Sequence, residues 1–345
     1  MINSHAWFLK DLDSIPKNGL TVMSTFSCGG GSSMGYKLAG CDVVAANDID
    51  PEMAYHYKLN LKPKYYYLCP IKDLLTAKLP DELFNLDILD GSPPCSTFSM
   101  AGSREKAWGK DKHFREGQAK QVLSDLFFDY LDLVEHLKPR VAIAENVKGM
   151  IQGNAKGYVK LVMERFKEIG YRPQLFLVNA ADCGVPQKRE RVFFIALRND
   201  IDKPKLVLAP KHRWISAGEA IEGCLQVLNN EKLTLTPMQS KYWGRWNEGE
   251  KLADCKSRYG DRYSSFNEIK LRRGEPSNCL NSHYQHFIHW AEPRYFTYHE
   301  WKRLGSFPDD YQVKTDKIGK YMIGMSVPPR MTEQVARAVI DQWLN

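Results

Sequence analysis

No stretch of about 18 apolar residues occurs in this 345-residue sequence, so nothing in it reads as a membrane span. The opening residues MINSHAWFLKDLDSIPKNG carry three aspartate-or-lysine charges around Leu12 and no apolar centre, which excludes a signal peptide. Cysteine is sparse. Eight cysteines are scattered with no Cys-x-x-Cys pair, which excludes a disulfide scaffold and a structural zinc site. Reduced thiols in a cytosolic setting follow, and no metal is expected. Internal repeats and low-complexity tracts are also missing. A 43% hydrophobic and 26% charged composition is that of a globular chain long enough for one large domain and a smaller one.

The net charge of +7 is unevenly spread. Between Lys232 and Arg273 stand ten Lys/Arg against five Asp/Glu, interleaved with Tyr242, Trp243, Trp246, Tyr259, Tyr263 and Phe266. This pattern suits a polyanionic partner, though a solvated face would also produce it.

The first two hundred residues alternate apolar β-rich runs with helical patterns. Strands are expected at 20–26, 43–46, 86–90, 141–144, 175–178 and 191–197. A helix is expected over 121–137, where Val122, Leu126, Tyr130, Leu133 and Leu137 recur every three or four residues. Such alternation implies βαβ units in an α/β, mostly parallel, Rossmann-like sheet, with ligands beyond the strands' carboxyl ends. After Leu197 the pattern breaks. We expect a large domain at 1–199 and a small domain at 200–290. Residues 291–345 should return to the large domain through a C-terminal helix with Val335, Ala336, Val339, Ile340 and Trp343 on one face.

Four motifs each follow or enter a predicted strand. In Phe26-Ser27-Cys28-Gly29-Gly30-Gly31, the glycines permit a tight turn and close backbone approach to a ligand at a helix start. Asp48, ending the second strand, can accept hydrogen bonds from ribose hydroxyls. Read together, they point to a nucleoside cofactor. In Gly91-Ser92-Pro93-Pro94-Cys95-Ser96, two prolines stiffen the backbone ahead of a cysteine placed as a nucleophile. Burial as a small apolar side chain is the other use of a free cysteine. Glu145-Asn146-Val147 follows the 141–144 strand. In Gln187-Lys188-Arg189-Glu190-Arg191, strand alternation puts Arg189 and Arg191 on one face, ready to grip a carboxylate or phosphate.

In this order, with GMSVPP at 324–329, the motifs resemble the cytosine-5 DNA methyltransferases of bacterial and phage type over residues 21 to about 340. The resemblance implies an S-adenosylmethionine-dependent methyltransferase fold with a target-recognition domain. It also implies a reaction in which Cys95 attacks carbon-6 of a flipped-out cytosine while Glu145 engages ring N3. Arg191 would hold Glu145, and Arg189 would act nearby. Residues 96–113 would form a closing loop. Cofactor contacts are implied at Phe26, Ser27, Cys28, Gly29, Gly30, Gly31, Asp48, Ile49, Ile71, Pro94 and Ser326.

Double-stranded DNA is the implied partner, possession of a cognate restriction endonuclease fits, and the protein would act as a monomer in the cytoplasm of a bacterium or phage-infected host. Three positions depart from the family pattern. Cys28 replaces a glycine, Cys69-Pro70-Ile71 lacks an aspartate, and Met325 replaces an asparagine. A tRNA-modifying branch of the family and a catalytically silent DNA-binding paralogue are the alternatives. The first usually carries Cys-Phe-Thr, where this chain has Cys279-Leu280-Asn281.

Overall fold

The computed structural model describes residues 6–94, 126–152, 156–224, 233–261, 268–282 and 287–345, and the backbone alone at 111–112 and 121–122. Two compact units emerge. The larger comprises 14–179, 190–210 and 331–345; the smaller comprises 1–13, 180–189 and 211–330. This partition differs from the expected 1–199, 200–290 and 291–345 boundaries, because segments distant in sequence close each unit.

The larger unit is built on strands β1 (Thr21–Thr25), β2 (Asp42–Asp48), β3 (Tyr65–Leu68), β4 (Ile88–Gly91), β7 (Val141–Val147), β8 (Tyr171–Asn179) and β9 (Glu190–Arg198). Between β4 and β7, β5 (Asp111–Lys112) and β6 (Gln121–Val122) form a separate short antiparallel pair. The main sheet runs in the order β3-β2-β1-β4-β7-β9-β8. Only β9 opposes its neighbours; the remaining six strands run one way. Strand β3 was not anticipated from the sequence. Its run of three tyrosines and a leucine shows no alternation of apolar with polar residues.

Helices α1 (Gly31–Leu38), α2 (Pro51–Leu61), α3 (Leu126–Leu137) and α4 (Lys156–Glu168) follow β1, β2, β6 and β7. Asp50 caps α2, its Oδ1 accepting from the Glu52 and Met53 amides at 2.8 and 3.3 Å, and Pro51 opens the first turn. Helix α3 starts at Leu126, later than the expected 121, because Gln121–Val122 is taken into β6.

Strand alternation divides the sheet's two faces. Met23, Leu89, Ala142 and Ala144 enter a core with Leu126, Phe127, Tyr130 and Leu133 of α3. Their neighbours in sequence, Ser24, Asp90 and Glu145, therefore lie on the opposite face. Gly91 is required beside α3, since a Cβ there would stand 2.6 Å from the Tyr130 ring.

The smaller unit holds α5 (Ala217–Ile221), α6 (Pro237–Trp243), α7 (Leu252–Arg258), the parallel pair β10 (Ile269–Lys270) and β11 (Phe287–Ile288), α8 (Tyr298–Leu304) and α9 (Asp316–Met325). Leu235, Tyr242, Trp246, Leu252, Cys255 and Ile288 form its own core. Thr236 and Gln239 cap α6 reciprocally, and Gln239 Oε1 also accepts from the Tyr295 hydroxyl at 2.8 Å. Helix α10 (Pro329–Val339), followed by a π-helical segment at Ile340–Leu344, rejoins the larger unit from Met331. Arg337 donates to the Leu38 carbonyl at the end of α1, at 2.9 Å.

Candidate active site

The glycine loop leaves β1 through two residues in the left-handed region, Phe26 at φ 51° and Cys28 at φ 45°. Gly30, at φ 80°, then begins α1; a Cβ there would meet Leu61 Cδ1 at 2.2 Å. Glycine is obligatory there on both counts. At Cys28 the departure from glycine is accommodated rather than avoided. The Cys28 amide donates to Asp48 Oδ2 at 2.7 Å, and its Sγ lies 3.6 Å from Met53 Sδ.

Asp48 Oδ1 accepts from the Asp50 amide at 2.9 Å. Each carboxylate oxygen thus retains acceptor capacity for a further donor. Desolvation pushes this carboxyl up to about 6, although the Asp50 and Cys28 amides pull the other way. Phe26 and Ile49 are half-buried, and Ser27, Gly29, Gly30 and Gly31 are buried. Ile71 goes elsewhere: its side chain is buried in the core with Leu74 and Leu89, because it is the apolar first residue of a 3-10 turn packed below α3. Asp73, beside the missing family aspartate, is exposed.

The turn after β4 brings Gly91 to Pro94, with Pro94 half-buried. Cys95 and the 96–113 loop lie outside the described residues, except the backbone of Asp111–Lys112. The adjacent strand secures what precedes Cys95. Asn146, 5% exposed, donates from Nδ2 to the Pro93 carbonyl at 3.1 Å. In the sequence Asn146 stands out only as a member of the Glu145-Asn146-Val147 motif; its buried amide bond is a tertiary feature.

Beside it, Glu145 and Arg191 form an ion pair, Nε to Oε1 3.0 Å. The register explains the contact. Arg191 stands opposite Val147 in the antiparallel β7–β9 pair, and Glu145 is two residues before Val147 on the same face. The side chains keep only 13% and 10% of their exposure, so the attraction is weakly screened.

Arg189 does not share this face. Strand β9 begins at Glu190, so alternation never extends to Arg189. Its Nη1 donates to the Leu280 carbonyl at 2.7 Å and its Nη2 to the Gly324 carbonyl at 3.2 Å, within the smaller unit. Gln187 works with it: Oε1 accepts from the Leu280 amide at 3.0 Å, and Nε2 donates to the Leu304 carbonyl at 3.3 Å. Lys188 pairs with Glu275. A Cβ at Gly324 would meet the Asn281 backbone at 2.2 Å, so this glycine admits the close segment that Arg189 clamps. Next to it Met325 is 45% exposed, while the Ser326 hydroxyl is buried without a hydrogen-bond partner among the described residues.

The basic, aromatic stretch belongs to the smaller unit. Lys270 lies 4.3 Å from the Trp243 ring centre, and Arg245 and Arg258 flank the half-exposed Tyr259 ring at 5.2 and 5.6 Å. Lys232, Tyr263 and Phe266 lie outside the described residues. Among the described residues no group of His, Cys, Asp and Glu could hold a metal ion, and no helix is long and apolar enough to cross a membrane.

The sheet order, the glycine loop closed on a strand-end aspartate and the buried Glu–Arg pair define an α/β methyltransferase domain. Residues 20–341 match the C-5 cytosine-specific DNA methylases, and the chain belongs to that family. It is a DNA cytosine-5 methyltransferase. The type II methyltransferase M1.HphI of Haemophilus parahaemolyticus is 28% identical over 346 residues, 94% of this chain and 88% of the relative. M.NgoFVII of Neisseria gonorrhoeae is 28% identical over 338 residues, 92% and 86% of the two chains. Solved structures share the fold. A protein from an E. coli prophage, described as a DNA modification methyltransferase, matches with TM-score 0.67 at 21% identity over 94% of this chain and 99% of its own. DNMT2 of Spodoptera frugiperda matches with TM-score 0.65 at 18% identity, over 93% and 100%.

Proposed function

We propose that this enzyme methylates a flipped-out cytosine within one short sequence of double-stranded DNA, using Cys95 as nucleophile and Glu145 as acid. The observation that carries this reading is the buried Glu145–Arg191 pair beside the turn that Asn146 holds. Cytosine carbon-5 is a weak nucleophile. Attack of the Cys95 thiolate on carbon-6 forms a C–S bond, and proton donation from Glu145 to N3 takes up the displaced electron pair, leaving carbon-5 enamine-like. Arg191 holds Glu145 in place throughout. After methyl transfer, loss of the carbon-5 proton expels Cys95 and restores the aromatic ring.

S-adenosylmethionine, when bound, supplies an electrophilic methyl group. The residues present fit it. Asp48 retains acceptor capacity for ribose hydroxyls, with Phe26, Ser27, Cys28, Gly29, Gly30, Gly31 and Ile49 along the loop and strand end. Pro94 and Ser326 join the set by family resemblance alone. Ile71 can contribute only backbone, since its side chain is 2% exposed. Arg189 contributes to the smaller unit's integrity rather than to the reacting base.

The smaller unit's cations and aromatic rings would read the duplex, with phosphate contacts setting a salt-dependent affinity. A cognate restriction endonuclease, a monomeric state and action in bacterial cytoplasm complete the reading. The test is methyl transfer from labelled S-adenosylmethionine to genomic DNA and to bulk tRNA, with Cys95→Ser in parallel and bisulfite sequencing of the product. Label at one short DNA motif, lost in Cys95→Ser, is expected. Label on tRNA alone, or none despite DNA binding, overturns it.

A further inference from the structure

One buried carboxylate is left unused by this chemistry. Asp90, 3% exposed, ends the apolar run of β4 one residue before the Gly91–Pro94 turn. A carboxylate in the central strand of a sheet is costly unless its oxygens are satisfied. Its oxygens are satisfied from two elements. Ser24 of β1 donates its hydroxyl to Oδ2 at 2.8 Å, and Tyr36 of α1 donates to Oδ1 at 3.0 Å. Ser32, in the first turn of α1, adds a third hydroxyl. The Asp90 carbonyl accepts from Thr25 Oγ1 at 3.0 Å.

These donors have a common property. Ser24 and Thr25 immediately precede the glycine loop at 26–30, and Ser32 and Tyr36 lie in the helix α1 that follows it. A single residue therefore staples both flanks of that loop. The same residue stands in β4 directly before the Gly91–Pro94 segment. The register supports this: Asp90 pairs with Ser24 in β1 and with Ile143 in β7, two residues before Glu145 on the same face. Tyr36 is wholly buried and Ser24 is 1% exposed, so neither hydroxyl has water as an alternative partner.

We propose that Asp90 is a positioning residue that locks the cofactor loop to β4 and to the Gly91–Pro94 segment that follows it, so that bound S-adenosylmethionine is held in register with that end of the strand. The proposal rests on the methyl-transfer reading given above. A chain that bound its cofactor on an independently braced loop would not need a carboxylate here. An apolar residue would fill the same space at lower desolvation cost. The carboxylate is retained where three hydroxyls converge, and each comes from a segment bordering the loop.

The test compares the wild-type enzyme with Asp90→Asn, Tyr36→Phe and Ser24→Ala. Three quantities are measured: S-adenosylmethionine affinity by calorimetry without DNA, kcat for methyl transfer, and duplex affinity by fluorescence anisotropy. Asp90→Asn is expected to weaken cofactor binding about tenfold and to lower kcat by roughly 10²-fold, with duplex affinity unchanged. Tyr36→Phe and Ser24→Ala should move the same two quantities in the same direction by less. Combined with Asp90→Asn, neither should add its full effect, since all three act through one staple. A variant that is merely less stable would lose active enzyme while its folded fraction kept wild-type constants; that result overturns the proposal. Should Asp90→Asn fail to fold, unchanged constants in Tyr36→Phe and Ser24→Ala overturn it equally. Failure of the underlying reading looks different, because the wild-type enzyme itself would then transfer no methyl group to DNA.

Discussion

Arg191 Nε stands 3.0 Å from Glu145 Oε1 across the antiparallel β7–β9 pair, and both side chains are nearly buried. The pair holds the carboxyl at the carboxyl end of β7, one residue from the Asn146 amide that secures Pro93. Its two members are separable by substitution.

Glu145→Gln keeps an acceptor for Arg191 but has no acidic proton to give. Methyl transfer should fall by roughly 10²–10⁴-fold with the melting temperature nearly unchanged. Arg191→Ala leaves a buried carboxylate unpaired, and stability should drop by about 3 kcal/mol as well. Steady-state kinetics and thermal unfolding on the same preparations check both. Equal melting temperatures for the two variants would contradict the pairing.

The left-handed Cys28 backbone gives a graded series. Cys28→Gly should be neutral or slightly stabilising, since glycine reaches φ 45° without strain. Cys28→Val should destabilise by about 1–3 kcal/mol and weaken S-adenosylmethionine binding, because a β-branched residue is poorly accommodated there. Denaturant unfolding and calorimetry decide; a stable, tightly binding valine variant would refute the strain argument.

Arg189 should behave as a clamp. Arg189→Lys gives up the fork that reaches both the Leu280 and Gly324 carbonyls, at a cost of about 1–3 kcal/mol. Gly324→Ala should be comparably harmful through collision with the Asn281 backbone. If Arg189→Lys instead left stability intact and abolished only kcat, a role at the base would be restored.

Asp90 also predicts a dependence on pH. Burial first, and then the negative charge of Glu145, push its carboxyl up to about 7, against a usual value near 4. In the unfolded chain the proton leaves near pH 4, and in the folded protein near 7. Folded Asp90 therefore favours the native state when protonated, and stability is progressively lost as pH rises from about 4 through 7. Asp90→Asn removes this titration. Its melting temperature relative to wild type should be more favourable at pH 8 than at pH 5. A difference independent of pH would contradict it.

In the smaller unit, Arg245 and Arg258 both face Tyr259, but Arg258 is also paired with Glu250 at 2.8 Å. Arg245→Ala should therefore lower the slope of log affinity against log salt by about one. Arg258→Ala should change it less. DNA binding titrated across salt concentrations would show the reverse ordering if the ion pair did not hold Arg258.

Six of the seven strands in the main sheet were legible because apolar runs bounded by turn residues need only local sequence to declare themselves. The motifs at their carboxyl ends are legible for the same reason, and they point to the glycine loop, Asp48 and Glu145. The aromatic strand β3 was not, having no alternation to read. Nor was the reversal of β9, which follows from its pairing between β7 and β8 in the sheet rather than from its composition.

The unlike fates of Arg189 and Arg191 show where local reading stops. They are two residues apart in one motif, yet one meets Leu280 and Gly324, 91 and 135 residues away, and the other meets Glu145. Asp90 likewise sits at the polar end of an apolar run in the sequence, and only the packing of β1 and α1 around β4 gives its carboxylate the Ser24, Ser32 and Tyr36 hydroxyls. Motif order and spacing determined the family and the fold class, since these depend on residues close together along the chain. Which groups are satisfied, clamped or left to meet a ligand was decided by tertiary structure alone, because a buried polar atom takes whichever partner the packing brings within about 3 Å.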